Sequence, residues 1–332
     1  MKSTRIFVGV LAVLMLLGQV VYATGQAENK VVIKYADFHA TSTILWQGVE
    51  RFKELVEKNS NGEIEVQIFP AGQLGGQREL LESVKNGTIQ MTYGNSPMLS
   101  NYVTEFALLD LPYMFTDYDH IERVVFGDVG LLLNDRLIKK AGIRILNWNQ
   151  LGFRDMMTRE IKIEKLADFK GVKFRSPEAF AYISMFNALG AVPTPLPWTE
   201  VYEAMRTRIV DGMETIPEGM TSSKGYEVSK YVILTNHINT VETPVINEVF
   251  YQGLSNEHKK IITDSLAEVA RWQNQAQIDA NKAAYTELEQ KGITFIKIDR
   301  APLIKSCEQV WAEFARKVPE SELLITMINS LR

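Results

Sequence analysis

Apolar positions along the chain recur with two periods. Residues 31–35 read as a strand, and 64–68 set Ile64, Val66 and Ile68 on one face at period two, just after an Asn61-Gly62 turn. Between them, 43–59 places Leu45, Val49, Phe52 and Val56 on one face of a helix. A glycine-rich turn at 71–76 opens a helix carrying Leu80, Leu81 and Val84, Gly87 closes it, and 89–93 is again strand-like. Further strands are predicted at 143–147, 153–157, 172–175 and 231–235. Pro177 precedes a helix running through Leu189, and Thr199 precedes one holding Val201 and Met205. Such alternation with short connections predicts α/β lobes on mainly parallel sheets. No repeat or low-complexity linker separates the lobes, so they are expected to exchange chain through strands that cross between them.

One segment departs from this rhythm. Residues 254–291 contain neither Gly nor Pro, and Ile262, Leu266, Val269, Ala276, Ala280 and Ala283 keep a narrow apolar stripe. A single helix of this length would run about 50 Å, longer than one lobe is wide, and would tie the lobes together. Two helices packed about an unmarked bend would show the same pattern.

The first residues add an address. Lys2 and Arg5 precede a mostly apolar run at 6–21, and Val21-Tyr22-Ala23 offers small residues for cleavage, so 1–23 is expected to be a signal peptide. The run is short for a bilayer span. The only cysteine, Cys307, lies far from this region, so neither a lipid anchor there nor an intrachain disulfide can form. Retention then points to a periplasm. Removing Lys2 and Arg5 takes the formal charge from −4 to −6, and no Lys/Arg block with interleaved aromatics suggests nucleic acid. His39, His120, His237 and His258 are scattered, without metal-ligand spacing or a Gly-x-Ser-x-Gly elbow. The expectation is a binder, not an enzyme, with no metal or cofactor.

A set of short stretches carries more. Residues 69–76 read Phe-Pro-Ala-Gly-Gln-Leu-Gly-Gly, 111–115 Leu-Pro-Tyr-Met-Phe, 152–154 Gly-Phe-Arg and 171–177 Gly-Val-Lys-Phe-Arg-Ser-Pro. They continue with Leu-Gly-Ala-Val-Pro-Thr-Pro at 189–195, Glu-Val-Tyr at 200–202 and Val-Asp-Gly-Met-Glu at 210–214. In order and spacing, the chain resembles the extracytoplasmic solute-binding subunits of tripartite ATP-independent periplasmic (TRAP) transporters over nearly all of its mature length. The resemblance implies an α/β periplasmic binding protein of two lobes, with crossing hinge strands and a long helix spanning both. It places 24–151 plus 241–280 in lobe one, and 152–240 plus 281–332 in lobe two. It further implies a monomer that captures a small organic acid, such as a sugar acid, and passes it to the membrane permease subunits. A binding subunit of another transporter class, or a ligand sensor, is the competing expectation.

A carboxylate loses its hydration in a closed cleft, and an Arg guanidinium offers a charged, two-pronged replacement. Arg175 ends a predicted strand, where α/β sheets bind ligands, and by resemblance Phe-Arg-Ser-Pro marks the family's carboxylate-binding arginine. Arg154 resembles its supporting arginine, with a hinge salt bridge as the alternative role. Thr215 stands where the family usually has Asn, a hydroxyl in place of an amide. The resemblance also brings Phe38, Gln77, Asn95, Met98, Glu178 and Trp198 to the cleft, with Trp148 and Glu242 beside the hinge strands.

Overall fold

The computed structural model describes residues 30–318 and 320–332; the expected signal segment lies outside them. The chain first builds β1 (Val31–Ala36), β2 (Ile64–Phe69), β3 (Met91–Asn95), β4 (Ile143–Ile145) and β5 (Asn149–Phe153). It then crosses into β6 (Asp155–Thr158), β7 (Lys173–Ser176), β8 (Val192–Pro195), β9 (Gly212–Thr215) and β10 (Tyr231–Ile233). β11 (Asn239–Asn247) returns to the first sheet and β12 (Thr294–Ile296) joins the second. The first sheet has the order β2-β1-β3-β11-β4 with β5 also on β11, and the second has β12-β10-β6-β9-β7-β8.

The sheets are parallel away from the crossings and antiparallel at them. β1 pairs parallel with β2 and β3, and β7 with β8 and β9. β11 runs antiparallel to β3, β4 and β5, and β6 antiparallel to β9 and β10. β5 leads out of the first lobe and β11 leads back, so the two must oppose each other. Arg154 alone separates β5 from β6. Its N–H donates to Ile238 (2.8 Å) and its carbonyl accepts from His237 (3.2 Å), stitching the outward crossing to the return.

Each sheet has a core on both faces. Ile33, Tyr35, Phe52 and Ile246 pack on one side of the first, Leu81, Phe106, Leu137 and Val245 on the other. Met156 and Ile233 face one side of the second sheet while their chain neighbours Met157 and Val232 face the other, the alternation of a strand buried on both faces.

The segment without Gly or Pro is one helix, Asn256–Gln290, capped by the Ser255 side chain on the His258 N–H. Ile262, Leu266 and Val269 bury in the first lobe and Leu288 in the second. Between them the buried face is polar, Gln273, Gln277 and Asn281, rather than the expected Ala276, Ala280 and Ala283, of which Ala283 is exposed. Here the helix crosses the lobe junction, where backbone groups leaving the sheets need partners. Asn281 Nδ2 donates to Leu151 O (2.6 Å) and its Oδ1 accepts from Glu218 N (3.2 Å). The C-terminal stretch also divides its packing. Leu303 and Cys307 bury in the second lobe, whereas Val310, Phe314, Leu324 and Ile328 join the first lobe's core.

Candidate functional site

Strand ends of both sheets converge on one cavity of about 90 Å³. That is roomy against the roughly 10–15 Å³ that one water requires. Phe38 and His39 follow β1, Gln77 follows the turn after β2, Asn95 ends β3, Arg175 is the penultimate residue of β7 and Thr215 ends β9. The crossing strands supply Leu151, Arg154, Thr240 and Glu242. Ligands of open α/β sheets bind beyond such carboxyl ends.

The two arginines have different surroundings. Arg154 is fixed by the buried Glu214 carboxylate, which takes its Nε at Oε2 and its Nη2 at Oε1 (2.7 Å). Nη2 also donates to Glu214 O (2.9 Å) and Nη1 to Thr240 Oγ1 (3.1 Å), with the guanidinium over the Tyr182 ring. Against the burial that would raise it, Arg154 holds Glu214 below the usual carboxylate range, and burial fails to lower Arg154 because Glu214 faces it.

Arg175 has no such partner. It is 3% exposed, Nε donates to Leu196 O (2.9 Å), and the guanidinium lies 5.5 Å from the Trp198 ring centre. Neither terminal nitrogen makes a hydrogen bond or ion pair among the described residues. Burial, reinforced by Arg154 and only partly countered by Glu214, pushes its pKa down to about 10. A guanidinium buried in this way has its terminal donors free to take an anion.

The part of the wall that comes from the first lobe is acidic. His39 Nδ1 contacts Asp37 Oδ1 (2.9 Å), and its Nε2 lies 3.5 Å from Glu242 Oε2. Burial works against charge on this ring, yet Asp37, ahead of Glu242, raises its pKa well above the ordinary histidine value. Burial raises Glu242 in spite of His39. The Phe38 ring lies against His39, centroids 3.9 Å apart.

Eight residues singled out from sequence thus meet at one cavity: Phe38, Gln77, Asn95, Arg154, Arg175, Trp198, Thr215 and Glu242. Asn95 Oδ1 caps the Met98 N–H (3.1 Å), and the Thr215 side chain makes no hydrogen bond among the described residues. Gly219 passes so close that a β-carbon there would meet Thr215 Oγ1 at 2.5 Å. Met98 and Glu178 line an adjoining recess shared with Gln77 and Arg175. Trp148 does not reach the cavity: it is buried in the first lobe's core, its ring 6.4 Å from that of Phe106. Proximity to a hinge strand did not bring it to the site, because it precedes β5 and the crossing reaches the cavity only at Leu151. His39, Glu218 and Thr240 line the site without having been singled out.

Comparison with known proteins identifies the family. Residues 35–317 match the family profile described as DctP, bacterial extracellular solute-binding protein, family 7. The C4-dicarboxylate-binding periplasmic protein DctP of Rhodobacter capsulatus is 31% identical over 80% of this chain and 79% of its own. The 2,3-diketo-L-gulonate-binding periplasmic protein YiaO of Escherichia coli strain K12 is 28% identical over 85% and 87%. A TRAP periplasmic solute-binding protein from Roseobacter denitrificans, solved with bound β-D-glucuronate, superposes with a TM-score of 0.87 at 27% identity, covering 90% of this chain and 98% of that one.

Proposed function

The chain belongs to the bacterial extracellular solute-binding proteins of family 7, and from that premise we propose that it works in the periplasm, binding a carboxylate-bearing solute on Arg175 and delivering it unchanged to the membrane subunits of a TRAP transporter. Sugar acids and related organic acids are the solute class, in keeping with relatives named for a C4-dicarboxylate and a keto-gulonate. The observation that carries the reading is the Arg175 guanidinium, buried between the lobes without a carboxylate partner. In such a setting a solute carboxylate supplies two charge-assisted hydrogen bonds at once. Arg154 orients the wall through Glu214, and Trp198 and Phe38 give flat apolar faces. Closure about the Gly152–Arg154 and His237–Asn239 crossings then buries the solute. The lobe limits given by the resemblance are adopted here for 24–280, with the C-terminal helices bridging both lobes.

The test is calorimetry on a solute found by thermal shift, since a ligand of the folded state alone raises its melting temperature. Removing one partner of a buried charge pair costs about 3–5 kcal/mol, or roughly two to three and a half decades of affinity. Arg175→Ala is therefore expected to bind at least about 100-fold more weakly, and Arg175→Lys also weakly because the fork is lost. Unchanged affinity in both variants would remove the assignment.

A further inference from the structure

We propose that Glu242 selects which second group of the solute the cavity accepts, so that the preferred ligands are hydroxylated monocarboxylates and dicarboxylates are rejected. This rests on Arg175 seating one carboxylate, and it adds what the acidic part of the wall demands.

The charges available in the cavity set the argument. Its wall presents two guanidinium groups, and Arg154 has given Nε and Nη2 to Glu214 and Nη1 to Thr240. Arg154 keeps a single Nη1 N–H, so the one two-pronged seat left for a carboxylate is at Arg175. The first-lobe side of the cavity supplies a carboxylate instead. Glu242 is 1% exposed; its Oε2 faces His39, while its Oε1 has no hydrogen-bond partner among the described residues. His39 already faces a carboxylate with each ring nitrogen, Nδ1 on Asp37 and Nε2 toward Glu242. Glu218, from the second lobe, adds another carboxylate to the cavity, with its oxygens taken by Ile44 N (3.0 Å) and Gln277 Nε2 (3.2 Å).

A second solute carboxylate would thus be desolvated against acceptor-only oxygens, an arrangement that disfavours the ionised form on both sides. A donor has the reverse effect. It would satisfy the buried Oε1, and a buried acceptor left unpaired is a larger loss than one bond is a gain. The donor is a neutral hydroxyl rather than an ammonium, since a cation on Glu242 would lie beside the imidazole of His39, which the two flanking carboxylates favour in its charged form. The remaining polar wall, Gln77, Asn95, Thr43 and Ser222, suits further hydroxyls.

The experiment is calorimetry of the full mature protein against three sets of acids: hydroxylated monocarboxylates of four to nine carbons, including D-gluconate and D-glucuronate; succinate and L-malate; and hexanoate. At least one hydroxylated monocarboxylate is expected to bind about tenfold or more tightly than every dicarboxylate and than hexanoate. Glu242→Gln, of equal size, is expected to narrow that ratio about tenfold or more, because its amide donates to a carboxylate and removes the repulsion. Circular dichroism checks that the variant is folded. A dicarboxylate binding as tightly as the best hydroxylated acid, no hydroxylated acid binding, or a ratio unmoved in folded Glu242→Gln would each overturn the inference. Arg175→Ala measured alongside separates the two readings. If it abolishes binding of whichever acid binds while the selectivity is absent, the carboxylate seat stands and only the role of Glu242 falls.

Discussion

Two buried guanidinium groups in one cavity have opposite consequences for stability because one carboxylate serves only one of them. Arg154 and Glu214 neutralise each other, with His237 Nε2 3.3 Å from the same carboxylate. Arg154→Ala would strand Glu214, so unfolding free energy is expected to fall by about 3–5 kcal/mol in urea titrations. Arg175→Ala removes a cation that folding desolvates, so the solute-free variant is expected to melt no lower than the parent, and higher if anything. Asp110 gives a pH dependence. It is fully buried, Ser96 Oγ (2.7 Å) and Tyr182 Oη (3.2 Å) donate to it, and burial pushes its pKa from 3.8 to about 7. The folded state therefore holds this proton more tightly than the unfolded chain. The resulting contribution to stability is full below pH 3.8 and is lost as pH rises to about 7. Asp110→Asn is expected to lessen the fall in melting temperature across that window. Arg175 was legible in the sequence because its place at a strand end and its Phe-Arg-Ser-Pro setting agree. The division of labour between the arginines was not, since it depends on the β6–β9 register that sets Met156 opposite Glu214. His39 was equally hidden, because its partners Asp37 and Glu242 are 205 residues apart in sequence and meet only when β1 and β11 enter one sheet.

The crossing strands are the elements the apolar pattern describes least well. β11 is buried along its whole length, so it shows no alternation, and Pro244 lies within it although the strand is central. Its pairing survives because Pro244 still offers a carbonyl, which accepts from Leu146 N (3.0 Å). The outward crossing looked like one strand at 153–157, but Arg154 breaks it in two. Beside that break, Gly152 has φ +114°, and a β-carbon there would stand 2.7 Å from Asn281 Nδ2 and 2.8 Å from Tyr118 Oη. Gly152→Ala is expected to destabilise the fold by about 1–3 kcal/mol, read as a lower urea midpoint. The extent of the long helix was legible from its uninterrupted helix formers, but one helix and two packed about a bend share that pattern, and the structure has one. Its middle face was misread, since a seam that serves two lobes must bond backbone ends as well as bury apolar surface.

Taken whole, the molecule holds its lobes together by contacts of unequal worth. Arg78 Nη2 meets Glu178 Oε2 at 2.9 Å across the cleft mouth, but both side chains are well exposed (58% and 32%), and such pairs contribute about 0–1 kcal/mol. Glu218 reaches from the second lobe to the first turn of helix Ile44–Asn59, where its carboxylate meets the unsatisfied N–H of Ile44 and the positive end of the helix. Arg78→Ala is expected to change the solute release rate by less than about fivefold. Glu218→Ala should speed release more, and stopped-flow fluorescence of the cleft tryptophan Trp198 would measure both. The general architecture was legible because alternating elements and one overlong helix leave few ways to join two lobes. The return of Val310, Phe314 and Ile328 to the first lobe was not, since their apolar spacing fits either core. One consequence follows from the lone charge at Arg175. Shutting the lobes over it with no acid inside would strand a cation in a medium that cannot screen it, so the shut shape is favoured only when there is cargo to neutralise it. Anything that recognises the shut shape is thereby told that the carrier is loaded.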